Sequence, residues 1–209
     1  MSDISKLVAK HTLVSDQVSQ TEIIDVLTEL DRVLADNIIG DVVEFGCYKG
    51  TSSLFLARLL LKYGVNKRLW LYDSFAGLPE KSLADDTRLG DEFQPGELVA
   101  TKAEVIRNFN HANLPRPIIK KGWFCDLTRE DIPAQISFAY FDGDYYDSIR
   151  DSFRLCEANF TAGAIIVVDD YNNTHLPGAA KAVDEWRRAN AKRIKSFVTR
   201  NSLAIIRLI

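Results

Sequence analysis

The chain has 209 residues, 46% hydrophobic and 26% charged, the proportions of one globular domain, which exclude disorder, collagen-like repeats and coiled coil. A net charge of −3, from 26 basic and 29 acidic residues, gives no broad positive field for nucleic acid or an anionic membrane. No apolar run nears the roughly 20 residues a bilayer demands. The opening MSDISKLVAKHTLVSDQ mixes charge and polarity too finely for a signal peptide. Three widely spaced cysteines (Cys47, Cys125, Cys156) without a CxxC suit free thiols in a reducing compartment, so a cytoplasmic setting is expected.

Ile23, Ile24, Val26, Leu27, Leu30 and Val33 recur at helical spacing and predict a helix over residues 21–34. A short apolar strand over 41–46 (DVVEFG) ends at a glycine, and Thr51 or Ser52 is placed to cap the helix through Leu60. KRLWLYD (67–73) reads as a second strand. Residues 76–100 are rich in Gly, Pro and Asp without periodicity; a loop that long in a compact domain is usually functional, and a lid is expected. A helix over 101–111 and strands over 116–121 and 136–142 come next. A helix to about 158, a strand over 164–169, a helix over 178–191 and a hairpin turning at Asn201-Ser202 complete the chain. Strands alternating with helices imply a mostly parallel sheet covered on both faces. The expected fold is α/β, a three-layer αβα sandwich with an antiparallel C-terminal strand.

Ligands in such sheets bind beyond the carboxyl ends of the strands. There stands EFGCYKGTSS, in which Gly46 and Gly50 let the backbone turn and approach a ligand ahead of a helix N-terminus. Dinucleotide enzymes write this turn G-x-G-x-x-G. Here an acid, Glu44, precedes an open spacing, which disfavours a pyrophosphate and favours a cationic ligand. Asp73 lies 27 positions after Gly46, at the end of the next strand, where an acid accepts from ribose hydroxyls. A ribose, a cationic centre and no pyrophosphate describe S-adenosylmethionine.

Asp142-Gly-Asp144 ends the fourth strand and Asp169-Asp170 the fifth. Four carboxylates at adjoining strand ends are costly without a counter-ion. Mg²⁺ takes oxygen ligands and leaves room for substrate hydroxyls, so Asp142, Asp169 and Asp170 are expected metal ligands and Asp144 the general base. Helix capping by Asp144 and an Asx turn at Asp170 would account for two of the four.

VVEFGCYKGTSS, LYDSFAGLPE, KGWF, FAYFDGDYYDSIRDS and IIVVDDY…PGAAKAVDEW, spread over residues 42–186, resemble the macrocin O-methyltransferase (TylF-type) family of sugar O-methyltransferases dependent on S-adenosylmethionine and Mg²⁺. The resemblance implies a class I methyltransferase (Rossmann-like) fold with a seven-stranded sheet over residues 41–209, preceded by an N-terminal helical extension over 1–40. It places Glu44, Gly46 and Gly50 near the methionine part of the cofactor, Asp73 on the ribose, and Trp123 and Phe124 near the adenine. Ser52, Ser74 and Asp142 join the cofactor-binding candidates. It also supports Asp142, Asp169 and Asp170 on the metal and Asp144 as base. The segment before residue 42 is shorter than the family leads one to expect, and residues 85–96 (DDTRLGDEFQPG) match in place but not in sequence. A small-molecule acceptor, a sugar or glycosylated natural product, is expected, and the extra N-terminal helix suits a homodimer.

His175, close behind Asp169-Asp170, is a rival base by virtue of its ordinary pKa. His11 and His111 have no acidic or cysteine partner at ligand spacing. Cys47 has no visible activating partner and reads as a packed thiol. The rivals in function are a catechol- or phenol-directed O-methyltransferase, an NAD(P)-dependent oxidoreductase and a binding module without chemistry.

Overall fold

A computed structural model describes residues 2–87, 89 and 93–209. Helix α1 (Asp3–Ala9) is capped by Ser2, whose hydroxyl accepts from Ser5 N–H at 3.1 Å. Helix α2 (Gln20–Ala35) begins at a reciprocal capping box between Ser19 and Glu22. Strand β1 (Asp41–Phe45) leads into α3 (Thr51–Tyr63), and β2 (Leu69–Asp73) follows. Beyond the long loop come α4 (Lys102–His111), β3 (Ile118–Lys121), β4 (Ile136–Phe141) and α5 (Tyr146–Cys156). The chain closes with β5 (Phe160–Val168), α6 (Pro177–Ala189), β6 (Ile194–Arg200) and β7 (Leu203–Leu208).

The seven strands stand in the order β3-β2-β1-β4-β5-β7-β6. β7 pairs antiparallel with both neighbours, and the other pairs are parallel, as the sequence pattern predicts. The strands are apolar on both faces because both are covered. Val42, Leu71, Phe138, Val167 and Ile205 pack on one side with residues of α1 to α4. Val43, Phe45, Phe141, Val168 and Ile206 pack on the other with residues of α5 and α6. Three layers result, as expected. No described helix is long and apolar enough to cross a membrane.

Within the N-terminal helical segment, α1 has only Ile4 and Val8 buried, too few positions for a period to mark it in the sequence. One expectation fails locally. The expected Thr51 or Ser52 cap on α3 is absent: Gly50, at φ 84°, is the N-cap with no side-chain bond. Thr51 instead shares a 2.8 Å hydroxyl contact with Ser15, and Ser52 turns inward to Glu44.

Charged contacts fasten α2 to the terminal hairpin. Arg207 grips the buried Glu29 through Nε and Nη2 at 2.8–3.0 Å, and Arg200 and Asn201 both donate to Asp25. The β6–β7 turn is thereby held against the first turns of α2.

Candidate active site

The sheet order reverses between β1 and β4, which opens a crevice at the carboxyl ends of those strands. A cavity of about 530 Å³ fills it. Its floor is the β1–α3 turn. Gly46 sits at φ 87°, and a Cβ there would lie 1.8 Å from the Asp142 carbonyl oxygen, so only glycine allows β1 and β4 to part this closely. Tyr48, also in the left-handed region at φ 46°, donates its N–H to Asp73 Oδ2 at 2.8 Å. Phe75 N–H donates to Asp73 Oδ1 at 2.7 Å. Burial pushes the Asp73 carboxyl up, and these N–H groups pull it back.

Gly46, Asp73, Ser74, Trp123, Phe124, Asp142, Asp144, Asp169 and Asp170 all line the cavity. Three expected cofactor residues do not. Glu44 faces the α3 side of the sheet, fully buried, where both its oxygens accept from the Ser52 and Ser53 hydroxyls. It braces α3 on β1, its carboxyl lifted to about 7 by burial. Ser52 is consumed in that contact, and Gly50 shapes the turn from behind, its missing Cβ facing Val105. His175 is likewise outside the cavity wall.

The carboxylates gather at one rim because β4 and β5 are parallel neighbours: Phe141↔Val168 is their last register pair. Tyr140, on β4, reaches up and donates to Asp169 Oδ2 at 2.6 Å. Asp169 Oδ1 accepts from Ser202 Oγ at 2.7 Å and from Asp170 N–H at 2.8 Å. Asp170 Oδ1 accepts from Asn173 Nδ2 at 2.8 Å, and Asn173 N–H donates to the Asp170 carbonyl at 3.0 Å. The turn is closed by backbone, and the Asx turn read at Asp170, in which the side chain would accept a backbone N–H, is not formed. The expected capping of α5 by Asp144 is not, since its N-cap is Tyr145 without a side-chain bond. Burial, then the Asp170 and Asp169 charges, push Asp144 well above the usual carboxylate range. Burial and then Asp169 do the same to Asp142, and they lift Asp170 to about 7. No lysine or arginine pairs with any of the four among the described residues. Nor do three acidic, histidine or cysteine side chains converge on one point there in a metal-holding arrangement. The expected Asp142–Asp169–Asp170 triad is therefore a set of neighbours on a shared wall, with Asp169 turned toward Tyr140 and Ser202.

Sequence reasoning missed the rest of the wall. Gln17, Glu22, Asn172, Asn201 and Ser202 make a polar side, with Glu22 Oε1 accepting from Ser202 at 3.0 Å. Glu22 carries no site signal in the sequence, and Asn201-Ser202 reads only as a turn. Leu78, Phe93, Leu98 and Leu176 supply the apolar side. Tyr48, Phe93, Leu98, Asp144, Asp170 and Asn201 all hold positive φ, the kind of local strain that concentrates at functional sites.

A glycine turn, an acid on the next strand and a carboxylate rim thus line one cavity. The macrocin-O-methyltransferase (TylF) family model matches residues 11–200. The chain belongs to that family. Among curated relatives, it is 31% identical over 164 residues to an 8-demethyl-8-(2,3-dimethoxy-alpha-L-rhamnosyl)-tetracenomycin-C 4'-O-methyltransferase of Streptomyces olivaceus, covering 76% of this chain and 62% of the relative. It is 29% identical over 167 residues to the mycinamicin III 3''-O-methyltransferase of Micromonospora griseorubida, covering 76% and 64%. The chain thus spans less than two thirds of these relatives' length. Among solved structures, the O-methyltransferase NovP superposes with a TM-score of 0.81 at 24% identity, covering 91% of this chain and 81% of NovP. The calicheamicin methyltransferase CalS11 superposes at 0.73 with 18% identity, covering 98% and 91%. The class I methyltransferase fold expected of a TylF family member is the one seen.

Proposed function

We propose that this chain transfers the methyl group of S-adenosylmethionine to a hydroxyl oxygen of a sugar or glycosylated small molecule. The observation that carries the reading is the single cavity that joins Asp73 and the Gly46 turn to Asp144 on the rim. Asp73, already held by two backbone N–H groups, keeps lone pairs for ribose hydroxyls. Trp123 and Phe124 offer apolar surface for the adenine. Asp144 takes the acceptor's proton, the oxygen attacks the methyl carbon, and the sulfonium leaves as the neutral thioether of S-adenosylhomocysteine. Alignment of oxygen, carbon and sulfur supplies much of the acceleration. One relative's name speaks of a rhamnosyl-bearing tetracenomycin, and the polar side of the cavity suits such a polyhydroxyl group.

Asp142, Asp169 and Asp170 are hard oxygen donors without a cationic partner among the described residues, a donor chemistry that fits a divalent cation such as Mg²⁺. Bound there, the ion would lower the pKa of an acceptor hydroxyl. The three thiols, none paired, fit a reducing, cytoplasmic setting.

Methyl transfer from labelled S-adenosylmethionine, assayed on nucleotide sugars, glycosides and vicinal diphenols with Mg²⁺ or EDTA, tests this. Labelled sugar ethers formed only with Mg²⁺ are expected. Transfer confined to diphenols would replace the acceptor, and transfer indifferent to EDTA would remove the metal.

A further inference from the structure

The loop over residues 76–100 is tied to the strand end that carries Asp144. Its neck closes where Leu78 N–H donates to the Glu97 carbonyl and Gly96 N–H to the Leu78 carbonyl, both at 2.9 Å. Leu78, Phe93 and Leu98 cluster with Tyr145 and Leu176, and the Tyr145 hydroxyl donates to the Phe93 carbonyl. The third tie is polar. Asp85, only 2% exposed, accepts Tyr146 N–H on Oδ1 at 2.7 Å, while Oδ2 accepts the Ser82 N–H and hydroxyl at 2.9 and 2.7 Å.

Gly178 explains how a carboxylate reaches that spot. A Cβ on Gly178 would lie 1.8 Å from Asp85 Oδ1 and 2.7 Å from Tyr146 N. Its φ is not in the left-handed region, so glycine stands here for room rather than for backbone freedom. The first turn of α6 is thus hollowed to admit a side chain from the loop. Asp144, two residues before Tyr146, holds φ 59°, and a non-glycine residue in that region persists only when its surroundings fix it.

We propose that Asp85 is a positioning residue for Asp144. By holding the Tyr146 amide, its carboxylate keeps the strained Asp142–Tyr146 turn in place, so that docking of the loop and presentation of Asp144 to the cavity are one event. This rests on the reading of Asp144 as the base.

Hydrogen exchange at the Tyr146 amide, read beside steady-state kinetics in D85A, D85N and G178A, tests it. In D85A, exchange at Tyr146 rises tenfold or more while β1 and β4 keep their protection. Its kcat falls roughly 10- to 100-fold with KM for S-adenosylmethionine within about threefold, the pattern of a misplaced group rather than a lost binding contact. D85N keeps one carbonyl oxygen and falls between wild type and D85A on both readouts, which also decides the matter should D85A fold poorly. G178A, which evicts the carboxylate without altering residue 85, repeats the D85A pattern. Wild-type exchange at Tyr146 in D85A, or faster exchange with kcat intact, overturns the proposal. A wild-type protein without methyl transfer would instead remove the base reading and, with it, the positioning role. An active wild type with an indifferent D85A removes the positioning role alone.

Discussion

The Tyr48 amide donates to Asp73 Oδ2 at 2.8 Å, so the acid at the end of β2 holds the turn at the end of β1. The carboxylate proposed to bind ribose is thus also a brace for the Gly46 turn, the loop proposed to meet the methionine part of the cofactor. Asp73→Ala is expected to weaken S-adenosylhomocysteine binding by tenfold or more and to lower stability by about 3 kcal/mol, since two N–H bonds to a buried carboxylate are lost. Calorimetry and thermal unfolding read the two effects separately. Unchanged affinity in a folded variant would take Asp73 out of the cofactor site.

Two glycines with positive φ should behave differently when each becomes alanine. At Gly46 the new Cβ meets the Asp142 carbonyl at 1.8 Å, whereas at Gly64, φ 63°, nothing lies within 4 Å. Gly64→Ala is expected to cost about 1 kcal/mol of left-handed strain, and Gly46→Ala more than about 3 kcal/mol, because the β1–β4 backbone must move as well. Denaturant midpoints give the comparison, and equal losses would show that the close approach is unimportant.

Glu44 sets a pH dependence. Its folded pKa of about 7 exceeds the ordinary value of 4.5 because of burial. A carboxyl shifted this way binds more protons folded than unfolded, so its contribution is complete below about pH 4.5 and is lost as pH rises through about 7. Glu44→Gln removes the titration. The stability of wild type relative to the variant is expected to fall by about 2.5 kcal/mol between pH 5 and 8. A gap independent of pH would mean that Glu44 is ionised throughout.

The two rim acids should separate kinetically. Asp144→Asn is expected to lower kcat by about 10²-fold or more, the usual share of a general base, with cofactor affinity kept. Asp169→Asn should raise the Mg²⁺ needed for half-maximal rate and the KM for acceptor. Matching losses in every parameter would dissolve the distinction.

Much of this site was readable along the chain, because strand ends in a parallel sheet fall on one rim: FG, YD, DGD and VDD mark four of them. What the sequence does not reveal is which way a side chain points from there. Glu44 lies in a strand apolar on both faces, so alternation could not place it on the α3 side. Asp169 ends a strand as a ligand would, yet Tyr140 and Ser202, 29 and 33 residues away, decide where its oxygens turn. The role of Asp85 depends on Tyr146 and on the room at Gly178, contacts across 61 residues or more that no local pattern encodes. Arg88, Gly90, Asp91 and Glu92, within the lid-like loop expected over 76–100, lie outside the described residues.

Calorimetric titration of S-adenosylhomocysteine into the wild-type protein, with and without Mg²⁺, bears most directly on the central claim. One site per chain with a dissociation constant in the micromolar range is expected, abolished or weakened by Asp73→Ala. Absence of binding up to millimolar ligand in folded protein would contradict a methyltransferase built on this cavity.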